Sequence, residues 1–453
     1  MAQHSVIRPG EALEPYDYSI LLLGARGNGK STFVNTLVNV IIGSNPGNLQ
    51  AAAACDKYPN IIPALDDGLQ ERNDFKTIHA HFYKLKSSIT DNKTILVIDT
   101  PGLASNGGIS EDDDNVQIII NAARRIKFLN AIIVVEKSST NRLSPLVEYN
   151  LCRISEIIPQ DFQSQVIVAY TFNLGFILFM DNWFPFPIQY KLKINNGAFR
   201  YSSKEYQANP KYINKSDWDR SVNKIKKFIT KLLTMQKVPT IQYTNLFDHH
   251  STMMNKIADF KGFIDNIEKY KNFIKNSKPG ERLNAIKWIR TDYHNTVCLE
   301  HRTLCHEKCS LNFDDSHGTS FFNNCLCMNA QKICKVCGCN SENHAYKNEK
   351  PIIEISSIDQ MLDSCSIGDR SSSENILKAF EAKEQKLILD LVEIESNISR
   401  ISPNYRISMY LIKAIDYLRF QIEFMENSNK LGELQSTLTI YQRLARGIQT
   451  CYR

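Results

Sequence analysis

The stretch ILLLGARGNGKSTFVNTLVNVII, residues 20–42, decides how the chain is read. An apolar run, Ile20 to Leu23, predicts a strand, and the apolar-periodic residues from Lys30 onward predict a helix. Between them Gly24-Ala25-Arg26-Gly27-Asn28-Gly29-Lys30-Ser31 fits G-x-x-x-x-G-K-[ST] without a mismatch. Such a turn lets backbone N–H groups converge on one point, and the helix behind it adds its positive end. Residues Gly24 through Ser31, with Thr32, are therefore the candidate phosphate cradle. Lys30 is placed to reach β- and γ-phosphates, and the Ser31 hydroxyl to ligate Mg²⁺.

A second signal, TILVIDTPG, is an apolar strand ending at Asp99 and followed by Thr100-Pro101-Gly102. In nucleotide switches an Asp there holds Mg²⁺ through water, and the Gly presents its N–H to the γ-phosphate. Alone this could be an ordinary strand-ending turn. After the first motif it points to an Mg²⁺–nucleoside triphosphate site.

Working outward, YSILLLGA, TIHAHFYKL, KTILVIDT, NAIIVVEK and SQVIVAYT read as strands, with helical patterns near 30–42, 115–129 and 144–158. That alternation predicts a mainly parallel sheet covered on both faces. VIVAYTFNLGFILFM, residues 166–180, is interrupted by Thr171, Asn173 and Gly175 and reads as strand plus loop, not a membrane span. KSDWDRSVNKIKKFITKLLTM predicts an amphipathic helix capped by Ser216, with Trp218, Val222, Ile225, Ile229 and Leu232 on one face. A helix over 255–277 ends at Pro279-Gly280. GDRSSSEN marks a linker, and beyond it Leu387, Leu391, Ile394, Ile398 and Ile401 repeat at helical spacing until Pro403, predicting a hairpin of two or three helices.

Charge argues for little. A net +6 spread over 453 residues is too dilute to indicate nucleic acid or an anionic membrane. The N-terminus lacks the apolar core of a secretion signal, so the expected compartment is the reducing cytoplasm.

The phosphate loop and VIDTPG resemble those of septin-like GTPases, in particular the immunity-associated (GIMAP-type) GTPases. Closer still are eukaryotic relatives that append a cysteine-rich segment and a helical tail. NRLSPLVEYNLCRISEI, VIVAYTFN, INNGAFRY, SDWDRSVNKIKKFI and CHEKC…CLC…CKVCGC carry the rest of the similarity. The resemblance implies a P-loop NTPase three-layer, mainly parallel α/β sheet of the TRAFAC GTPase-like kind. It implies GTP/GDP and Mg²⁺ as ligands, slow hydrolysis, and self-association through the nucleotide domain. A further protein partner would use the cysteine-rich or helical parts.

Departures from the family pattern are specific. Where an [NT]-K-x-D element reads guanine, this chain has Thr171-Phe172-Asn173-Leu174, leaving Thr171 and Asn173 as candidate base contacts. The first Thr after Val38 is Thr77, a candidate Mg²⁺ ligand or simply a strand-opening residue. Leu103 follows DTPG and no catalytic Gln is visible, so Arg26 and Thr77 are the weak catalytic candidates. NGGISEDDDN, residues 106–115, reads as a switch loop with a solvated acidic run.

Of twelve cysteines, Cys298, Cys305, Cys309, Cys325, Cys327, Cys334, Cys337 and Cys339 cluster, with His294, His301, His306, His317 and His344 in or beside them. C-x-x-C and C-x-x-x-C pairs can share tetrahedral Zn²⁺, and these eight thiols with His344 or His306 would fill two such sites. Disulfides are the alternative staple for so small a segment.

The sequence thus divides into a GTPase-like domain (17–240), a helical connector (241–295), a cysteine-rich module (296–345), a linker (346–373) and a helical, coiled-coil tail (374–453). The leading expectation is a GTP-binding switch. An ATP-dependent enzyme on the same phosphate loop and a non-hydrolysing scaffold are its rivals.

Overall fold

The structure, a computed structural model, describes residues 3–8, 10–69, 77–104, 108–173, 175–209, 215–276, 282–301, 303–311, 320–357, 373–424 and 428–452. Asn106, Gly107, Leu174, Pro279, Gly280, His317 and residues 358–372 of the expected linker lie outside them. The chain forms two compact units, Met1–Asp248 with Ser399–Tyr405, and His249–Ile398 with Arg406–Arg453.

In the first unit the strands of the main sheet are β1 (Gln3–Val6), β2 (Tyr18–Leu23), β3 (His81–Lys86), β4 (Ile95–Asp99), β5 (Ala131–Lys137), β6 (Val166–Thr171) and β7 (Tyr190–Lys193). They build one seven-stranded sheet in the order β1-β3-β4-β2-β5-β6-β7. β4, β2, β5, β6 and β7 are mutually parallel, while β3 runs antiparallel to β4 and β1 antiparallel to β3. This mostly parallel sheet with an antiparallel edge fits a P-loop GTPase-like fold. Its inner strands are continuous apolar runs because helices cover both faces; every residue of β4 and β6 is buried.

The helices of this unit are α1 (Lys30–Ile42), α2 (Ile109–Arg124), α3 (Pro145–Glu156), α4 (Ser203–Ala208) and α5 (Lys215–Leu232). Phe33, Val34 and Leu37 of α1 share a core with Trp218, Ile225, Phe228 and Ile229 of α5, so the predicted stripe is the buried one. Ser216 lies within the first turn of α5, not ahead of it. After β6 the chain leaves the sheet as a loop, not a membrane-spanning helix. No helix among the described residues is long and apolar enough to cross a membrane.

One expectation is corrected in α2. The acidic run is helix, not a solvated loop: Glu111 and Asp112 occupy the first turn, where the helix's positive end favours carboxylates. Asp112 and Asp113 are buried, and Asp113 accepts a hydrogen bond from Arg153 Nη2 at 2.8 Å.

The helix α6 (Ile241–Asn276) carries the chain from the first unit into the second, longer than the 255–277 expected. Then comes β8 (Arg282–Cys298), which begins inside the expected helical connector, followed by β9 (Thr303–His306) and β10 (His344–Ser357), which runs into the expected linker. They form an antiparallel sheet in the order β9-β8-β10. The pairing partner of β8 lies far along the chain, so local pattern does not reveal it.

The tail is three helices, α7 (Ser373–Ile401), α8 (Ile407–Glu423) and α9 (Ser428–Cys451), with the break at Pro403 as expected. Its buried stripe on α7 runs through Phe380, Ile388, Leu391, Glu395 and Ile398. Glu395 is tolerated there because the Tyr452 hydroxyl donates to it at 2.7 Å. The segment after α7 belongs to the first unit, where the Ser402 hydroxyl donates to the Ile158 carbonyl at 3.1 Å.

Candidate functional site

The loops after β2, β4, β5, β6 and β7 leave the same, carboxyl, edge of the sheet. From β2 the chain reaches β4 on one side and β5 on the other, and such a switch point opens a crevice at the strand ends. The glycine turn lies there. Gly24 adopts φ +148°, and a Cβ at that position would stand 2.4 Å from the Val135 carbonyl oxygen, so only glycine fits. Gly102 is equally constrained from the other loop: a Cβ there would stand 2.6 Å from Arg26 Cα.

The two motif loops are bonded main chain to main chain. Arg26 N–H donates to the Leu103 carbonyl at 2.8 Å, and Leu103 N–H donates to the Gly24 carbonyl at 3.2 Å. Leu103 is fully buried.

Lys30 folds back over this turn, its Nζ donating to the Gly24 and Ala25 carbonyls at 3.0 and 3.3 Å. Burial pushes its ammonium down to about 8, against the pull of Asp99 and Glu136. Beside it, the Ser31 and Thr77 hydroxyls lie 3.0 Å apart. Both carboxylate oxygens of Asp99 are buried without a hydrogen bond of good geometry, and Ser31 lies close enough to bias the carboxyl. Burial is the largest influence on Asp99 and raises its pKa, with Lys30 opposing. A buried carboxylate beside the Ser31 hydroxyl, itself paired with that of Thr77, is an oxygen-rich donor set suited to a hard divalent cation. Of the residues predicted as Mg²⁺ ligands, Ser31 thus lies beside both Thr77 and Asp99.

Thr171 and Asn173 are engaged within the fold. Thr171 Oγ1 donates to the Asn28 carbonyl at 2.7 Å and is fully buried. The Asn173 side chain closes its own turn, with Nδ2 donating to the Phe176 carbonyl at 2.8 Å and Oδ1 accepting from Gly175 N–H at 3.3 Å.

Three residues that sequence reasoning passed over lie at the site. Glu136, the penultimate residue of β5, accepts from Asn28 Nδ2 at 2.8 Å and is pushed up to about 7 by burial. Lys137 brings its Nζ within 3.8 Å of where a Gly27 Cβ would be. Asn196 accepts from the Thr36 hydroxyl at 3.0 Å, while its Nδ2 is buried without a partner close to Gly29. The carboxyl-edge positions of Glu136 and Lys137 in the run NAIIVVEK are the one sequence signal that could have flagged them.

In the second unit the cysteines gather in three groups, not two: Cys298, His301, Cys337 and Cys339; Cys305, Cys334, Cys337 and His344; and His306, Cys309 and Cys325. His301, left out of the expected ligand set, joins the first group, and His306, the reserve ligand, joins the third. The described cysteines are all free thiols.

No family profile matches the chain, and no curated protein does. Among solved structures it is similar to Toc33 from Arabidopsis thaliana in complex with Mg²⁺ and GMPPNP, at 16% identity and a TM-score of 0.28, over 49% of this chain and 86% of that one. A structure concerning dimerization and GTPase activity of the chloroplast translocon components atToc33 and psToc159 aligns at 14% identity and a TM-score of 0.27, over 40% of this chain and 70% of that one. The elongation factor SelB from Methanococcus maripaludis with the GTP analogue GppNHp aligns at 12% identity and 0.26, over 49% and 35%. The fold assignment here rests on the chain's own strand order and loop geometry.

Proposed function

We propose that the first unit is a nucleotide switch that binds GTP with Mg²⁺ and hydrolyses it slowly. One observation carries the reading: the fully buried Asp99 carboxyl has no well-formed hydrogen bond to either oxygen, and beside it stands Ser31, whose hydroxyl lies 3.0 Å from that of Thr77. Burying a carboxylate unsatisfied is costly unless a cation or ligand completes it. Ser31, Thr77 and Asp99 would hold the Mg²⁺, whose chemistry when bound is to neutralise phosphate charge. Lys30 would exchange its two loop carbonyls for phosphate oxygens, a better partner for a buried ammonium.

Slow turnover follows from Leu103. Its side chain is buried and both its backbone groups are bonded to the phosphate loop, so the position after DTPG offers no group to orient a water. Gly102 N–H stands as the γ-phosphate sensor, and its tight seat against Arg26 links that sensing to the loop itself.

Guanine is favoured by the family resemblance, and the buried Asn196 amide supplies an unused donor near Gly29 that a base carbonyl could accept. Self-association through this unit, as in the implied family, would supply the missing catalytic group in trans. The second unit would read the nucleotide state toward a protein partner, in a cytoplasmic setting.

The reading is tested by titrating GTP and ATP, each with Mg²⁺, into the purified chain and a Lys30→Ala variant by calorimetry. Tighter binding of GTP, lost in Lys30→Ala, supports it; unchanged affinity in the variant overturns the site, and tighter ATP overturns the base assignment.

A further inference from the structure

The cysteine-rich segment presents more donors than two tetrahedral ions use. Each of its three groups holds its ligand atoms within 4.8 Å of one another. The first two groups share Cys337. The third has three members, and buried Cys327 stands next to it, its Sγ 3.4 Å from Cys325 Sγ. With Cys337 shared by the first two groups and Cys327 completing the third, the donors would be all eight clustered thiols together with His301, His306 and His344. Tetrahedral zinc with N and S ligands needs four donors per ion.

The spacings suit such ions. Donors about 2.0–2.3 Å from a tetrahedral zinc stand roughly 3.3–3.8 Å from one another. His301 Nδ1 lies 3.6 Å from Cys298 Sγ and 3.2 Å from Cys339 Sγ. His344 Nε2 lies 3.3 Å from Cys337 Sγ. In the third group His306 Nδ1 lies 3.2 Å, and Cys309 Sγ 3.7 Å, from Cys325 Sγ.

Second contacts orient the donors. His344 Nδ1 lies 3.0 Å from the Asn340 carbonyl, which assigns its proton to Nδ1 and leaves the Nε2 lone pair toward Cys337. The strands supply rigid ends: Cys298 closes β8, Cys305 and His306 lie in β9, and His344 opens β10. The thiols themselves make most of the local core, joined by Phe322, Met328 and Tyr346 and flanked by Leu311. So few apolar groups need a metal to close the fold. A histidine in every group sets them apart from all-thiolate iron–sulfur sites.

We propose that residues 298–344 bind three Zn²⁺ ions. Two form a pair bridged by the Cys337 thiolate. The third is held separately by His306, Cys309, Cys325 and Cys327. This is independent of the nucleotide reading.

The test reloads the full chain with excess zinc, removes free metal and counts ions. Three per chain are expected in the wild type, with two lost in Cys337→Ala and one in Cys309→Ala. A wild type saturating at two or fewer, or Cys337→Ala losing only one, overturns the proposal. Should a variant not fold, cadmium-113 NMR of the cadmium-loaded wild type decides. Three resonances are expected, two split by coupling through the shared sulfur and one unsplit. Fewer resonances, or three unsplit ones, contradict the bridge.

Discussion

The hydroxyls of Ser31 and Thr77, 46 residues apart in sequence, lie 3.0 Å from each other, and Ser31 stands beside the buried Asp99 carboxyl. Thr77 precedes β3 rather than opening it, so its side chain is free of the strand's alternation and turns toward the phosphate loop. Removing its oxygen while keeping its shape should weaken the Mg²⁺-dependent part of GTP affinity by about tenfold, the worth of one good contact to a charged site. Thr77→Val is expected to bind GDP in EDTA as the wild type does and GTP–Mg²⁺ more weakly. Equal loss in both conditions would mean that Thr77 supports the fold instead.

Gly102 and Gly262 make a matched pair for testing how closely the two motif loops pack. A Cβ on Gly102 meets Arg26 Cα at 2.6 Å, whereas one on Gly262, within α6, meets nothing within 4 Å. Gly102→Ala should therefore destabilise by about 1–3 kcal/mol through overpacking. Gly262→Ala should stabilise by roughly 0.5–1 kcal/mol through helix propensity. Denaturant unfolding of the two variants gives the comparison, and similar shifts in both would remove the argument for a tight loop seat.

The buried Lys30 makes binding depend on pH. In the free chain burial holds its ammonium near about 8, and phosphate favours the charged form. Above that pH the free protein has shed a proton that the complex takes back. GTP affinity should then fall as pH rises, by up to about tenfold per unit. Calorimetry at pH 9 in two buffers of different ionisation heat should register uptake approaching one proton; none would contradict the assigned role.

Glu136 has the opposite charge and a related consequence. Its pKa is raised from 4.5 to about 7 by burial, so between those values the folded chain holds a proton that the unfolded chain has lost. Its effect on stability is nil below about 4.5, becomes unfavourable as pH rises toward 7 and is constant above. Glu136→Gln, which retains an acceptor for Asn28, should remove that decline and gain up to about 3 kcal/mol at pH 8. Unfolding curves that keep the same pH slope in the variant would place the titration elsewhere.

Much of this was legible in the sequence, for reasons that mark the limits. The strands after which the site loops emerge are uninterrupted apolar runs, and buried parallel strands have no other pattern. The phosphate loop announces itself because Gly24 faces a carbonyl at contact distance, which excludes other residues. The acidic turn of α2 misleads because its partner is Arg153, 40 residues from Asp113, and only tertiary contact turns a polar run into a buried one. β8 was hidden for the same reason, since its ladder with β10 crosses the whole cysteine segment. Thr171 and Asn173 are polar residues that the sequence offers as base contacts, and their hydrogen bonds to the Asn28 and Phe176 carbonyls emerge only in the fold. Asn196 is the reverse case, an ordinary loop residue whose unpaired amide emerges only once Thr36 is beside it.

The central claim, a guanine nucleotide held by the loop around Lys30, is tested most directly on the protein as purified. Nucleotide released by denaturation is separated, identified and quantified against protein. GDP or GTP near one equivalent, with none from Lys30→Ala, is the predicted result. Adenine nucleotide in its place, or equal guanine nucleotide from the variant, would contradict it.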